Sequence, residues 1–130
     1  MANRPPSYVG AWNIAHFGEL VRYYEKLPGS GPYFHMFVER TDGARIFGKI
    51  EDVVHGGATF EGERTEERIE FDKKYFPYAI ERGGYSGVMH YSGLIKEVEV
   101  GSEGIRTSEV VAGIVTFDRP KAPITFLMIR

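Results

Sequence analysis

Between Arg68 and Tyr75 the chain alternates without a break. Arg68, Glu70, Asp72 and Lys74 share one parity; Ile69, Phe71, Lys73 and Tyr75 share the other. A strand sends successive side chains to opposite faces, so the wholly charged set must meet water. The other set must then turn inward, and it carries Lys73 in with three large neighbours. This period constrains the chain more than any other stretch does.

The two segments before it keep the same rhythm. In residues 45–53, Ile46, Gly48, Ile50 and Asp52 share a face. In residues 58–64, Ala58, Phe60 and Gly62 oppose Thr59, Glu61 and Glu63. Residues 54–57 and a charged turn near residues 64–67 separate the three strands. Consecutive strands joined by short turns predict an antiparallel meander, and closing it removes the exposed edges a long meander would leave. At 130 residues the chain is read as one domain. The expected fold is all-β, an up-and-down antiparallel β-barrel of eight to ten strands with room for one short helix.

The rest of the chain fits this frame. Residues 8–15 alternate with both faces largely apolar, Tyr8, Gly10 and Trp12 on one and Val9 and Ala11 on the other. Residues 17–27 read either as a helix, from Phe17, Leu20, Val21, Tyr24 and Leu27, or as a strand. Residues 28–32 (PGSGP) are a loop, 33–40 a strand, and Asp42-Gly43 marks a hairpin. Residues 76–84 read as an irregular connection. Residues 85–100 read as one long strand with Tyr85, Gly87, Met89 and Tyr91 inward. There a bulge or break near Gly93 is expected, to reconcile Leu94, Lys96 and Val98 with the preceding parity. Strands at 105–117 and 124–130 close the chain. Phe126 and Met128 face in, and Leu127 and Ile129 with Val9 or Ala11 form an outer strip suited to a homodimer.

The totals exclude some classes. A formal net charge of -2 gives no basic footprint for nucleic acid or for an anionic membrane surface. The absence of cysteine removes disulfides and thiolate metal sites and suits a reducing compartment. Residues 1–10 lack the apolar run of a signal peptide, and no stretch approaches a membrane span, so a cytoplasmic protein is expected.

Gly10-Ala11-Trp12 resembles the Gly-x-Trp that opens the first strand of lipocalins and avidins. The middle of the chain is similar to a group of uncharacterised small bacterial barrels of the same calycin-like kind, which also includes the fatty-acid-binding proteins. The resembling pieces are Gly48-x-x-x-Asp52, Gly57-x-x-Phe60-x-Gly62, Ile69-x-Phe71-x-Lys73-x-Tyr75 and Tyr91-x-Gly93, about half the chain. The chain departs from lipocalins in lacking cysteines, and it has no match to the biotin-contacting set of avidins. The resemblance implies a barrel and a habit of binding small apolar molecules. It names no ligand.

Asp52, Lys73, Tyr75 and Tyr91 are the polar residues that inward parity gathers. A buried amine and carboxylate are costly unless paired or bonded to a ligand. They either orient a ligand's polar group in a cavity also lined by Phe71 and Met89, or form an internal contact that fixes register. Asp52 has the further alternative of belonging to the turn that follows it. Of His16, His35, His55 and His90, none is spaced for a helical metal pair; His35 and His90 lie in strands and could line the cavity. Ser86 and Ser92 lack a nucleophile elbow, and Glu61, Glu63, Glu66 and Glu67 read as solvated surface. No catalytic residue, metal or cofactor is expected. The expected function is binding of a small, mostly apolar molecule. The alternatives are a barrel filled by its own side chains that serves as a structural or interaction module, and an isomerase or cyclase using Lys73 with Tyr75 or Tyr91.

Overall fold

Eight antiparallel strands close into a barrel in sequence order, each hydrogen-bonded to the next and the last to the first. The computed structural model describes residues 6–13, 33–100 and 106–130. The strands are β1 (Ser7–Trp12), β2 (Tyr33–Asp42), β3 (Arg45–Asp52), β4 (Gly57–Arg64), β5 (Arg68–Tyr75), β6 (Met89–Val100), β7 (Arg106–Phe117) and β8 (Ile124–Ile129). Among the described residues one five-residue helix, α1 (Pro77–Glu81), sits between β5 and β6. The all-β, up-and-down barrel read from the sequence is the observed fold. The ambiguous segment 17–27 and His16 lie outside the described residues.

The alternation of β5 is complete: odd positions are buried and even ones exposed. Lys73 is 0% exposed. The interior is a continuous core in which Phe34, Met36, Ile50, Phe71, Tyr91, Phe126 and Met128 meet from five strands. An eight-stranded barrel is just wide enough for side chains to fill, and here aromatics fill its middle. Phe71 stacks on Tyr91 with centroids 4.6 Å apart, and Phe126 meets the same tyrosine edge-on at 5.0 Å. Gly10 makes this possible at β1. A Cβ there would lie 2.3 Å from the tip of the Phe34 ring. The glycine of the Gly-x-Trp therefore admits Phe34, which in turn packs on Trp12 at 5.0 Å.

Four expectations are corrected. Residues 85–88 are not strand; β6 begins at Met89, and the preceding loop is held instead by Asp118, which accepts from the Tyr85 hydroxyl at 2.6 Å and the Val88 N–H at 3.0 Å. No bulge occurs at Gly93, because β6 pairs with β7 in unbroken register from Met89↔Phe117 to Val100↔Arg106. One parity holds throughout, so Leu94 faces outward at 52% exposure. Gly93 is the inward residue where a Cβ would meet Val111 at 2.6 Å. The irregularity lies in β2 between Val38 and Arg40. Residues 76–84 contain α1, started by Pro77, whose missing N–H costs nothing in a first turn. His35 and His90 both point out of the barrel. His35 stacks on Phe37 at 4.5 Å, and His90 is exposed beside Asp72 at 2.7 Å.

The outer strip is in place but not open. Val9, Ala11, Leu127 and Ile129 are 4, 0, 8 and 2% exposed within the single chain. β6 and β7 outrun their neighbours. β5 pairs with β6 as far as Leu94, with the Ile95 N–H still bonded to Glu67 O at 2.8 Å, and β8 pairs with β7 from Val110 on. The β6–β7 ladder from Val98↔Ser108 to Val100↔Arg106 runs past both neighbours as a short ribbon.

Candidate functional site at the barrel mouth

The ends of β1, β3, β5 and β7 and the starts of β4, β6 and β8 gather at one end of the barrel, called the mouth here. Asn13 adopts a left-handed conformation (φ 59°), which asparagine tolerates, and its N–H bonds to Thr125 O at 2.9 Å. That turn leaves Trp12 as the last residue of β1, over the barrel opening.

Beneath the mouth lies a buried polar cluster. Lys73 Nζ donates to the Tyr75 hydroxyl at 3.0 Å and to the Tyr91 hydroxyl at 3.5 Å, and stands 3.7 Å from Asp52 Oδ2. The Tyr75 hydroxyl donates to Asp52 Oδ2. Trp12 Nε1 donates to the Tyr91 hydroxyl at 2.9 Å. The ammonium also lies over the rings of Tyr75 and Trp12, at 4.3 and 4.9 Å from their centroids. Parity alone thus brings together the four polar residues read from the sequence.

Asp52 serves both purposes weighed for it. Oδ1 accepts the backbone N–H groups of Val54 at 3.0 Å and His55 at 2.5 Å, capping the turn into β4. Oδ2 faces inward to Tyr75 and Lys73. Two oxygens on one carboxylate let the turn and the buried cluster be fixed by the same residue.

Energetics explain the state of the lysine. At an effective dielectric of ~20, opposite charges ~4 Å apart attract by about 4 kcal/mol. Removing each ion from water costs several kcal/mol, so the pair does not fully offset its burial. The lysine expresses the deficit: burial lowers its pKa from 10.5 to about 8, against the upward pull of Asp52. Burial, then the hydrogen bond to Asp52, drives the Tyr75 phenol well above its ordinary value, and burial does the same to Tyr91. At neutral pH the cluster holds a lysine near its titration point, caged by phenols that keep their protons.

Above the cluster is an open cavity of about 310 Å³. Trp12 and Tyr75 form its floor, Met89, Phe117 and Ile124 its apolar wall, and His55, Tyr85 and Lys121 its rim. Of the six residues expected to line a cavity, Tyr75 and Met89 do so. Asp52, Lys73 and Tyr91 sit beneath the floor, and Phe71 is deeper still, stacked under Tyr91. His55 was passed over in the sequence; its Nδ1 lies 3.4 Å from the Tyr75 hydroxyl and links rim to cluster. Its place next to the inward Asp52 was the available clue. Phe117 ends β7 on the inward parity of Val111 and Val115, and Tyr85 was read as inward though its segment is loop; Lys121 carries no such clue, because a loop residue has no parity to read.

The opposite end, the base, has its own cluster, also missed. Arg64 Nη2 donates to Glu109 Oε2 at 2.7 Å, Arg64 Nη1 donates to Oε1 and to the Tyr8 hydroxyl, and that hydroxyl donates to Oε1 at 2.6 Å. Arg64 continues the inward parity of Ala58, Phe60 and Gly62, as Glu109 does that of Val111, and that was the clue.

The chain is thus a closed, eight-stranded up-and-down barrel, an architecture compatible with the calycin-like barrels. Comparison with protein-family models, with curated proteins and with solved structures finds no match to it. No described helix is long and apolar enough to cross a membrane, and no group of three or more metal-ligating side chains occurs among the described residues.

Proposed function

We propose that the protein binds a small, mostly apolar molecule at the barrel mouth. The observation that carries this is the cavity itself, a concave space lined by Trp12, Tyr75, Tyr85 and Phe117 with Met89 and Ile124 at the end of the closed barrel, with a few convergent polar groups around it. The Asp52–Lys73–Tyr75–Tyr91 cluster acts from below, fixing the Tyr75 hydroxyl and the Trp12 ring that form the floor. A cytoplasmic setting and kinship with calycin-like barrels belong to the same reading. The cysteine-free chain supports the first and Gly10-x-Trp12 on the opening strand supports the second.

One observation favours a different reading. Among the described residues no buried side-chain nitrogen or oxygen lacks a hydrogen-bond partner, so the interior is complete without a ligand, as a purely structural barrel would be. Turnover at Lys73 has less support, since a substrate would have to displace Trp12 or Tyr75 to reach its Nζ.

Native mass spectrometry of freshly purified protein separates the two main readings, with Met89→Trp as the comparison because the larger ring fills the mouth. A co-purified small molecule on the wild type that is absent from the variant is the expected result. A bare mass for both proteins sinks the binding reading in favour of the filled barrel.

A further inference from the structure

The charge at the cavity rim points to a chemical class of ligand. Of the ten described residues lining the cavity none is acidic, and Lys121 brings a full positive charge. Its Nζ lies 4.6 Å from the centroid of the Phe117 ring and 5.5 Å from that of Tyr85, so it stays over the aromatic wall. Among the described residues it forms no ion pair.

The loop that carries Lys121 is tethered at its start. Pro120 and Pro123 flank it and restrict the backbone. Asp118 ties the loop to the opposite rim through the Tyr85 hydroxyl and the Val88 N–H, and Arg119 Nη1 donates to Ser86 Oγ at 2.7 Å. The one carboxylate of this loop is therefore already engaged by two donors. Below the floor, the Asp52 carboxylate accepts from the Tyr75 hydroxyl and stands 3.7 Å from Lys73 Nζ, so it is taken up inside the barrel.

Building on the reading of the mouth as a ligand site, we propose that its ligand is an amphipathic anion. A flat apolar body lies against Trp12, Met89 and Phe117, and a single carboxylate, sulfonate or similar group is held at the rim by Lys121. A rigid, aromatic-backed ammonium costs little ordering on binding and discriminates an acid from its neutral isostere.

Two dyes with the same ring system supply the test: 8-anilinonaphthalene-1-sulfonate and the neutral N-phenyl-1-naphthylamine. Each is titrated by fluorescence against wild type, Lys121→Gln, Lys74→Gln and Met89→Trp. Lys74 stands on the solvated outer face of β5 and controls for loss of one charge anywhere on the protein. Lys121→Gln is expected to weaken the sulfonate about five-fold, the scale of a partly exposed ion pair, and to leave the neutral dye unchanged. The preference should fade at about 0.5 M NaCl, and Lys74→Gln should have no effect. Equal effects of the two lysine variants, or none, overturn the anion proposal while leaving mouth binding in place. If neither dye binds, or Met89→Trp fails to weaken both, mouth binding itself is overturned and the anion proposal with it.

Discussion

The two ends of the barrel are closed by the same three kinds of group, a base, an acid and a tyrosine, and they behave differently. At the base, Arg64 meets Glu109 through both of its terminal nitrogens, with side chains 27 and 12% exposed. Burial pulls the Glu109 carboxyl up, but donors from Arg64 and Tyr8 outweigh it and hold the group below its usual range. An arginine cannot lose its proton in a protein, so this end is permanently ionic. At the mouth, Lys73 and Asp52 are both fully out of water, and a phenol stands between them. A lysine can shed its proton, and here burial makes that easy. The comparison teaches that exposure and the choice of lysine over arginine, rather than the presence of an ion pair, decide whether a polar plug is fixed or adjustable.

The sharpest break of the comparison is Asp52→Ala. It leaves Lys73 without its carboxylate and strips the turn of its cap, so a loss of about 3–5 kcal/mol is expected by chemical denaturation. A loss no larger than that of a surface substitution would mean that Asp52 is a turn residue only.

The next effect is on pH dependence. Lys73 titrates near 8 in the folded chain and at 10.5 as a free side chain, so between those values the unfolded state holds more protons. Stability contributed by this site is therefore lowest below about pH 8 and rises as pH increases toward 10. At 1.36 kcal/mol per unit at full slope, the stability of wild type relative to Lys73→Met should improve by about 2 kcal/mol over that window. Above about pH 10 the stability of each protein falls, because Tyr75 and Tyr91 keep protons in the fold that the unfolded chain loses, but this contribution is common to both and the difference between them levels off. Denaturation curves for both proteins at pH 7.5 and 10 decide it; parallel behaviour would show the lysine to be unperturbed.

The smallest effect belongs to the base. Glu109→Gln keeps the shape and one acceptor, and should cost about 1–2 kcal/mol with little change between pH 6 and 9. A steep pH dependence in this variant would erase the contrast between the ends.

The inward lysine was legible because β5 alternates without interruption and its other face carries only charge. Asp52, Tyr75 and Tyr91 followed from parity on their own strands. What escaped depends on how strands stagger around the closed wall. Glu109 is 45 residues from Arg64, and which inward side chains meet across the barrel is set by the shear of the whole sheet, which no single strand reveals. α1 escaped because five residues are too few to display a helical period. The expected bulge at Gly93 came from treating Leu94 as a residue that had to be buried, whereas an outward leucine is ordinary on a barrel wall.

The ribbon formed where β6 and β7 outrun β5 has a consequence for how such a chain can vary. Barrel closure depends on strand number and stagger within the wall, and the overhang takes no part in either. Residues can be added or removed there in facing pairs while the girth, tilt and both plugs stay as they are. Among the described residues the margin of β6 beside Lys96–Val100 has no strand paired to it on the β5 side, and Lys96, Glu97 and Glu99 along it discourage another molecule from zipping on. It is the natural place to splice in a tag or a tether without disturbing the opposite opening.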